Sequence, residues 1–585
     1  MTEQNWDLTP IYDSFESDLF KNDIKKLEEL VEKLSEKLEK AKNSDIADIL
    51  LIYIENSNTL GTLESRLSEY CLLNLSQNSD NSKAYSYLDK INDISTKTAE
   101  AESKICHALL NVKDIEKVIN SNYTLKEHSY FIKELYQKSK HVLTEKEEVL
   151  YAKLHNTGSL SWEKLWENVT GNTVCHIKTD TGIKDEPLST TRNMAYDSDR
   201  NIRKNAFHAE IEALEGISPQ AAFALNSIKG EVINICSLRG YASPLEMTVE
   251  NSRLGKDIFN SMLEAVKNLS PYFAKYFNKK AEILGLEEKL PFYDLFAPVG
   301  KNSKTYTYKE AQEIIVESFN SFSTELGNFA LNAFKNNWID VYPKKGKTGG
   351  AFCSYIHAIG QSRILTNFTG SFSDVVTIAH ELGHGYHGHC LKNETYLNSD
   401  YPMPIAETAS TFCESIVKNA LLKNASKDEA LVITESDLSD SAQTIVDILS
   451  RFLFEDEVFK LRKEGSLSAR ELSEIMLKAQ KSAYSENLSV YHPYMWVCKP
   501  HYYDAEYNYY NFPYAFGLLL SKGLYSLYQK NGKDFFNDYN KFLNTTGKAS
   551  IKDTALSIGI NLSDKAFWDL SVETIKNEID NFCNI

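Results

Sequence analysis

The segment Asp374–Gly388 contains a His-Glu-Leu-Gly-His motif whose spacing is typical of a metal site. His380 and His384 are four residues apart, so on a helix both imidazoles project from one face and can bind the same ion. Zinc suits this pair because it binds neutral imidazole and needs only three protein ligands, which leaves one position for water. Glu381 follows the first histidine and is placed to accept a proton from that water. The motif therefore predicts one Zn²⁺ per chain, with Glu381 as the catalytic base.

A chance match on an ordinary amphipathic helix is the alternative explanation of this motif. Gly383, Gly385 and Gly388 argue against it, because each weakens a helix by about 1 kcal/mol relative to alanine. Glycine is useful where another backbone or a substrate must approach closely. His387 and His389 also follow the motif, but their spacing from the second histidine turns them partly away from the metal face. We expect them to be structural or to support a ligand.

The segment Pro402–Glu414 is the candidate source of a third ligand, because its prolines are tolerated at a helix start. On that helix Glu407 and Glu414 share one face. Glu407 would be the ligand, and Glu414 would accept a hydrogen bond from a ligating imidazole. Two solvated carboxylates are the alternative explanation. The helix also has an apolar side made of Ile405, Ala409, Phe412 and Ile416.

The segment His501–Gly517 is rich in tyrosine and also contains a histidine. Phenol and imidazole groups are suitable donors to the oxyanion that develops during amide hydrolysis. A packed aromatic wall is the alternative, since the chain has 33 tyrosines. Taken alone, this segment does not decide between the two interpretations.

The elements that must position these residues are predicted to be mainly helical. The chain has 585 residues but only 13 prolines and 25 glycines, and these are the main helix breakers. Near the start of the chain, apolar residues at alternating steps of four and three predict an amphipathic helix: Phe20, Ile24, Leu27, Val31, Leu34 and Leu38. Residues 178–187 have turn chemistry and no periodicity, so we predict domains at 1–185 and 186–585. Ser362–Phe368 is predicted to be a short β element.

Composition excludes several classes of protein. The net charge of −17 disfavours binding to nucleic acid. No apolar run approaches the length of about 20 residues that crosses a bilayer, and the first residues do not resemble a secretory signal. The nine cysteines are scattered and form no CxxC pair, which indicates reduced thiols. We therefore expect a cytoplasmic protein without membrane or nucleic-acid partners. Its oligomeric state is not indicated.

Together these segments resemble the thimet oligopeptidase family, and within it the oligoendopeptidase F branch. The resemblance extends from the first residues to the last third of the chain. The matching stretches are Trp6–Tyr12, Gly349–Cys353, Asn367–Ser371, His380–Gly385, Glu407–Glu414 and Tyr509–Gly517.

The resemblance implies a mainly α, two-lobed helical peptidase that encloses a deep substrate channel, with a small β element near the zinc site. It makes Glu407 the third zinc ligand and Glu414 its supporting partner. It also implies that the backbone of Gly349, Gly350 and Ala351 binds an extended peptide as an added strand. Substrate-binding and transition-state-stabilising roles fall on His501, Tyr510 and Tyr514. Extra tyrosines crowd that segment, and Tyr510 is our first choice as the oxyanion donor.

The predicted function is a zinc-dependent oligoendopeptidase that hydrolyses internal bonds of short, unstructured peptides. Two other functions stay open at this point. A zinc carboxypeptidase or dipeptidyl carboxypeptidase would need a basic residue for the substrate carboxylate, for which Arg363 and Lys499 are candidates by type. A non-catalytic, zinc-stabilised peptide-binding protein would have lost the base, whereas Glu381 is present. Cleavage-site preference and substrate length limits are not indicated.

Overall fold

The computed structural model describes residues 4–300, 304–423 and 425–585. Helices account for 71% of the residues, so the predicted mainly α fold is confirmed. None of the helices in the described ranges has an apolar stretch that could cross a bilayer.

The described part of the chain contains twenty-five α-helices, which are numbered in chain order. They are α1 (Asp18–Ala41), α2 (Ile46–Gln77), α3 (Ser82–Leu109), α4 (Ile115–Ile119), α5 (Tyr123–Glu127), α6 (Ser129–Ser139), α7 (Glu145–Thr157), α8 (Ser159–Gly171), α9 (Leu188–Asn193), α10 (Arg200–Leu238), α11 (Pro244–Asn251), α12 (Lys256–Leu269), α13 (Phe273–Ile283), α14 (Tyr308–Phe322), α15 (Thr324–Lys335), α16 (Phe372–Cys390), α17 (Met403–Leu422), α18 (Lys427–Ala442), α19 (Ile448–Arg462), α20 (Ala469–Ala483), α21 (Met495–Cys498), α22 (Phe512–Asn531), α23 (Phe535–Thr545), α24 (Ile551–Leu556) and α25 (Lys565–Asn584).

Five short strands form two small sheets in the described residues. The strands are β1 (Val174–Thr179), β2 (Gly182–Pro187), β3 (Ile339–Asp340), β4 (Phe352–Ile356) and β5 (Gln361–Leu365). β1 and β2 form an antiparallel hairpin. In the second sheet β5 is central, parallel to β3 and antiparallel to β4, with Cys353 opposite Ile364. The predicted β element Ser362–Phe368 therefore lies largely on β5.

The chain folds into two compact units, each made of three separate segments. Unit 1 comprises residues 1–142, 303–423 and 527–560, and unit 2 comprises residues 143–302, 424–526 and 561–585. Unit 1 contains the β3-β5-β4 sheet, α16 and α17. The predicted domains, in contrast, are two continuous segments, and the boundary between them at residue 185 falls inside β2. This division stays a prediction.

Helix α1 follows the predicted apolar pattern. All six residues of the predicted stripe are buried. They join the side chains of α2, α3 and α6 in one apolar core, which also takes in Ile356 of β4 and Leu365 of β5. The alternation of four and three keeps one face of the helix apolar over its whole length, so a single core can bury it.

The interpretation of residues 178–187 as irregular is wrong, because this stretch belongs to the β1–β2 hairpin. Thr179 pairs with Gly182, so Asp180 and Thr181 form a two-residue turn. Almost every residue of β2 is exposed. The strand therefore lacks the alternation of apolar and polar residues from which a strand is predicted. The hairpin is specified by its turn and by the buried residues of β1.

Candidate metal centre

Helix α16 begins at a cap that fixes its direction. Ser371 is the N-cap and forms a capping box with Asp374. Asp374 Oδ2 also accepts hydrogen bonds from the backbone N–H groups of Thr369 and Gly370 at 2.8 and 2.9 Å. These bonds fix the turn that leads into the helix. The two histidines lie two and three turns further along this anchored helix.

The predicted ligands converge on one point. His380 Nε2 and His384 Nε2 are 3.2 Å apart. Glu407 Oε2, on α17, lies 3.3 Å from the first of these atoms and 3.5 Å from the second. Within the described residues, this trio is the single group of histidine, cysteine or acidic side chains whose geometry suits a metal ion.

The three distances fit a tetrahedral zinc ion. Ligand atoms about 2.0–2.1 Å from a tetrahedral Zn²⁺ lie about 3.3 Å from each other. The observed separations of 3.2–3.5 Å agree with that edge length. Two imidazoles and one carboxylate are also a common donor set of catalytic zinc. The site is therefore suited to this ion.

Glu414, about two helical turns beyond Glu407, holds the ring of His380. His380 Nδ1 donates to Glu414 Oε1 at 2.6 Å, and Lys418 Nζ donates to Glu414 Oε2 at 2.8 Å. Burial would raise the pKa of Glu414, but Lys418 and His380 outweigh it and lower this pKa to about 2. Glu414 therefore stays ionised and holds the Nδ1 hydrogen of His380, so that Nε2 is the nitrogen directed at the other two ligands.

The electrostatics of the trio favour an ionised Glu407. Burial opposes ionisation, but hydrogen bonds with His380 and His384 hold the pKa of Glu407 well below its usual range. For His380, burial is outweighed by hydrogen bonds with Glu407 and Glu414, which raise its pKa to about 10. The negative charge concentrated around this imidazole is the environment that a divalent cation requires.

Glu381 is buried beside the ligands, with 6% of its surface exposed. Burial raises its pKa above the usual value, against the opposing effect of the two histidines. A carboxylate with a raised pKa is a better proton acceptor at neutral pH than an ordinary surface glutamate. Such a position and environment would suit a general base.

The glycine at position 383 lets α17 approach α16. A Cβ atom there would lie 2.6 Å from the carbonyl oxygen of Ala409 and 2.7 Å from Cα of Ser410, both backbone atoms of α17. At Gly388 a Cβ atom would meet the ring of Tyr355 on β4 at 2.4 Å. The expectation that another backbone approaches this glycine-rich helix is confirmed. The close packing brings Glu407 within reach of the histidines.

The turn before β4 contains the three predicted substrate-binding residues Gly349, Gly350 and Ala351. Gly350 has a positive φ of 78°. Asn367 Nδ2 donates to the carbonyl oxygens of Thr348 and Gly350 at 3.0 and 2.8 Å, which fixes the turn. β4 lies at one edge of its three-stranded sheet.

The aromatic segment places its three predicted functional side chains together in unit 2. The ring of His501 stacks on Tyr510 at a centroid distance of 5.4 Å, and it meets Tyr514 edge-on at 6.3 Å. Burial, helped by Arg451, lowers the pKa of His501 to about 4, so its imidazole is neutral at pH 7. Tyr509, directly before Tyr510, has a positive φ of 54°. Such strain in a non-glycine residue is concentrated at functional sites.

The extra tyrosines of this segment divide into buried and exposed ones. Tyr502, Tyr503 and Tyr509 have 0–2% of their surface exposed and pack in the core. Tyr507 is 57% exposed and meets Tyr510 edge-on. The aromatic-wall interpretation therefore holds for three tyrosines, whereas Tyr510 and Tyr514 form a distinct group with His501.

Three other residues of the sequence analysis lie outside the trio. His387 is fully buried, stacks on Tyr401 at 3.9 Å and bonds to Thr546 Oγ1 at 2.8 Å. His389 packs against Phe329. Arg363 is fully buried and donates to the backbone carbonyls of Asp7 and Ser362, so it has a structural role.

Lys418 was not predicted from the sequence. The sequence does contain a pattern that involves it: Glu414 is followed four residues later by Lys418, and such a pair stabilises a helix. That pairing alone does not reveal that the same glutamate also holds a metal-ligating imidazole.

Comparison with known proteins identifies two matching family models. Residues 193–573 match Peptidase family M3, and residues 109–173 match Oligopeptidase F. The chain is 24% identical over 588 residues to Oligopeptidase PepF of Bacillus subtilis, covering 99% of this chain and 86% of that protein. It is 26% identical over 532 residues to an oligoendopeptidase F homologue of Borreliella burgdorferi, covering 88% and 87% of the two chains.

Solved structures share the fold over the full length. A Chlamydophila abortus protein described as a peptidase aligns with a TM-score of 0.85 at 22% identity, covering 100% of this chain and 98% of that one. The crystal structure of oligoendopeptidase-F from Enterococcus faecium aligns with a TM-score of 0.69 at 17% identity, covering 96% and 98%.

Proposed function

Because this chain belongs to peptidase family M3, we propose that it hydrolyses internal bonds of short, unstructured peptides at a zinc ion. Membership confirms the resemblance seen in the sequence and makes the protein a metalloendopeptidase with peptide substrates. The observation that carries the finer proposal is the convergence of three ligand atoms within 3.5 Å, next to the buried Glu381.

His380, His384 and Glu407 would hold the zinc ion. A bound zinc ion supplies Lewis-acid chemistry, in that it acidifies water and polarises a carbonyl group. Glu414 keeps the ring of His380 in the orientation in which Nε2 can bind. Lys418, in turn, fixes the second oxygen of Glu414.

Glu381 moves the proton in the proposed reaction. Its carboxylate accepts a proton from the attacking water and returns it to the leaving amine, as general base and then general acid. The raised pKa of Glu381 suits both halves of this cycle. The carboxylate takes up a proton more readily than an ordinary glutamate does, and the acid that forms can still release the proton to the amine.

Tyr510 and His501 are the proposed donors to the tetrahedral oxyanion. A well-aligned donor contributes roughly 3–4 kcal/mol to such a step. The neutral state of His501 at pH 7 leaves its imidazole able to donate one hydrogen. Tyr514 is the proposed substrate-binding partner, and the edge of β4 with Gly349, Gly350 and Ala351 would pair with an extended peptide.

The proposed setting is the cytoplasm, without nucleic-acid or membrane partners. None of the nine cysteines in the described residues forms a disulfide, which fits a reducing compartment. The net charge of −17 repels phosphate backbones.

The deciding experiment is a cleavage assay on a length series of unstructured peptides, analysed by mass. Zinc-loaded wild type should cut internal bonds of short peptides, and a chelator should abolish the cleavage. Glu381→Gln should retain zinc but lose nearly all turnover, while the surface variant Glu313→Gln should behave as wild type. Near-normal rates in Glu381→Gln would reject the assigned base, and removal of C-terminal residues alone would reject the endopeptidase proposal.

A further inference from the structure

Unit 2 contains a cavity of about 180 Å³ that the proposed peptidase chemistry does not use. Its walls come from α9, the start of α10, residues 292–296, the segment before α19, and Lys499, all within unit 2. A cavity of about 150 Å³ can hold a benzene ring, whereas pockets for drug-sized ligands start at about 300 Å³. The cavity is therefore large enough for one small molecule and too small for a peptide.

A π-helical segment borders this cavity. Between α18 and α19 the helix widens over Gln443–Asp447, and both end residues of this segment line the cavity. Segments of π-helix are rare because their hydrogen bonds are less favourable, and they are found frequently at functional sites. Here Asp447 is the last residue of the segment and lies in the wall of the cavity.

Asp447 has an oxygen that lacks a partner. The residue is 7% exposed, and its Oδ2 accepts a hydrogen bond from Arg451. Its Oδ1 is buried and has no hydrogen-bond partner among the described residues. Burial disfavours the charged form, but Arg451 and then Lys499 outweigh it and lower the pKa of Asp447. A buried carboxylate oxygen without a partner destabilises the ionised form, and a donor in the cavity would supply the missing hydrogen bond.

Lys499 supplies the opposite charge. No hydrogen bond or ion pair joins its ammonium to any residue in the described ranges, although Asp447 lies close enough to affect its pKa. Burial and neighbouring Arg451 lower that pKa to about 8, so the group remains mostly charged at pH 7. The two other cations of the cavity are already paired: Arg192 contacts Glu210 at 3.3 Å and the thiol of Cys498, and Arg203 donates to Asp294 Oδ1 at 2.8 Å. Lys499 is therefore the cation available to a ligand.

Aromatic rings form the remaining wall. Tyr196 and Phe296 lie 5.0 Å apart between ring centroids, and Phe207 and Tyr293 lie 5.5 Å apart. All four residues line the cavity. Such rings bury apolar groups and favour an aromatic or branched side chain.

We propose that this cavity binds a single free amino acid with an apolar or aromatic side chain. Its carboxylate lies on Lys499, its ammonium group donates to Asp447 Oδ1, and its side chain packs on the ring of Phe296. An inorganic anion would satisfy Lys499 but would leave the aspartate oxygen unpaired. This proposal does not depend on the peptidase mechanism, because no residue of the metal centre takes part.

The test is isothermal titration calorimetry on the full-length chain. L-phenylalanine and L-leucine are the probes, and 3-phenylpropionate, phenethylamine, the dipeptide Phe-Phe and inorganic phosphate are the comparison ligands. We expect saturable binding of the amino acids, at least tenfold tighter than binding of 3-phenylpropionate or phenethylamine. Binding of 3-phenylpropionate or phosphate as tight as that of phenylalanine would overturn the proposal, as would the absence of amino-acid binding at millimolar concentration.

Variants locate the site. Lys499→Met and Phe296→Ala should each weaken phenylalanine binding at least tenfold, whereas Lys478→Met on the exposed face of α20 should not. The melting temperature of each variant verifies that it is folded. Glu407→Ala should keep wild-type affinity for phenylalanine, and a loss there would place binding at the metal centre and overturn the proposal. Unchanged affinity for phenylalanine in a folded Lys499→Met protein would also overturn the proposal.

Discussion

The imidazole of His380 and the carboxylate of Glu414 are joined by a hydrogen bond of 2.6 Å between Nδ1 and Oε1. Since an ionised carboxylate can only accept, Nδ1 carries a hydrogen, and Nε2 is the nitrogen left to bind a metal in place of its proton. Nε2 lies 3.2 Å from His384 Nε2 and 3.3 Å from Glu407 Oε2. The contact between α16 and α17 thus sets which nitrogen of the ring is available to a metal.

Glu414→Gln is expected to weaken zinc binding by roughly 10–100-fold, the usual cost of changing a hydrogen-bond partner of a ligand. The amide keeps the size of the side chain but loses its charge, so it holds the ring of His380 less firmly. Competition with a zinc chelator of known affinity measures the change. The surface variant Glu313→Gln is the control, and equal affinity in the two variants would contradict the assigned role.

Gly383→Ala is expected to destabilise the protein by about 1–3 kcal/mol, because the added methyl group overlaps the backbone of α17. Gly216→Ala on α10 is the matched control. A Cβ atom there meets nothing within 4 Å, so that change should stabilise its helix by roughly 0.5–1 kcal/mol. Denaturant unfolding of the two variants should shift in opposite directions. A shift in the same direction would mean that α17 can move away from α16 without cost.

Tyr510→Phe is expected to lower kcat by roughly 10²–10³-fold with a smaller change in KM, since the phenol acts mainly in the transition state. Tyr507→Phe removes a neighbouring exposed phenol and should have little effect. Steady-state kinetics on one short peptide compares the two. If Tyr507→Phe showed the larger loss, the oxyanion donor would be reassigned.

His387 is expected to make folding stability sensitive to acid. Burial, with a contribution from His384, lowers its pKa to about 3, below the value of 6.5 in the unfolded chain. The unfolded state therefore binds the extra proton, so the stabilising contribution is complete above pH 6.5 and is lost as the pH falls toward 3. The slope from this residue approaches about 1.4 kcal/mol per pH unit in that window.

His387→Gln should remove that part of the slope, as measured by denaturant unfolding at a series of pH values. The exposed His176 is the control, because its pKa is raised by Asp185 and its contribution is already complete below pH 6.5. Identical acid slopes in wild type and His387→Gln would show that His387 is protonated in the folded state.

The metal motif was predictable because, on a helix, the spacing between two residues fixes the angle between their side chains. Four residues make about one turn, so His380 and His384 had to share a face wherever the helix lay. The helical arrangement of α17 followed from the same regularity, and its predicted apolar side is buried. That Glu407 meets the histidines depends on packing between two helices, which spacing within one helix does not encode. The family resemblance supplied it.

The β1–β2 hairpin, the role of Arg363 and the cavity beside Asp447 were beyond the sequence for a related reason. An exposed strand has no apolar alternation, and a buried arginine is identical in sequence to a surface one. The cavity joins residues between 191 and 499, and no local pattern connects them. Each depends on which distant segments meet, and a single sequence gives no measure of that.

The three-segment composition of each compact unit has a consequence for synthesis on the ribosome. The first segment of unit 1 ends at residue 142, but its last begins at residue 527. At about 5–20 residues per second, a nascent chain waits tens of seconds before α23 can dock. The early helices can bury most of their shared apolar core during that interval, whereas the metal helices emerge later. Neither unit can be expressed as one continuous fragment, so truncation at any single point should yield an incomplete, aggregation-prone product.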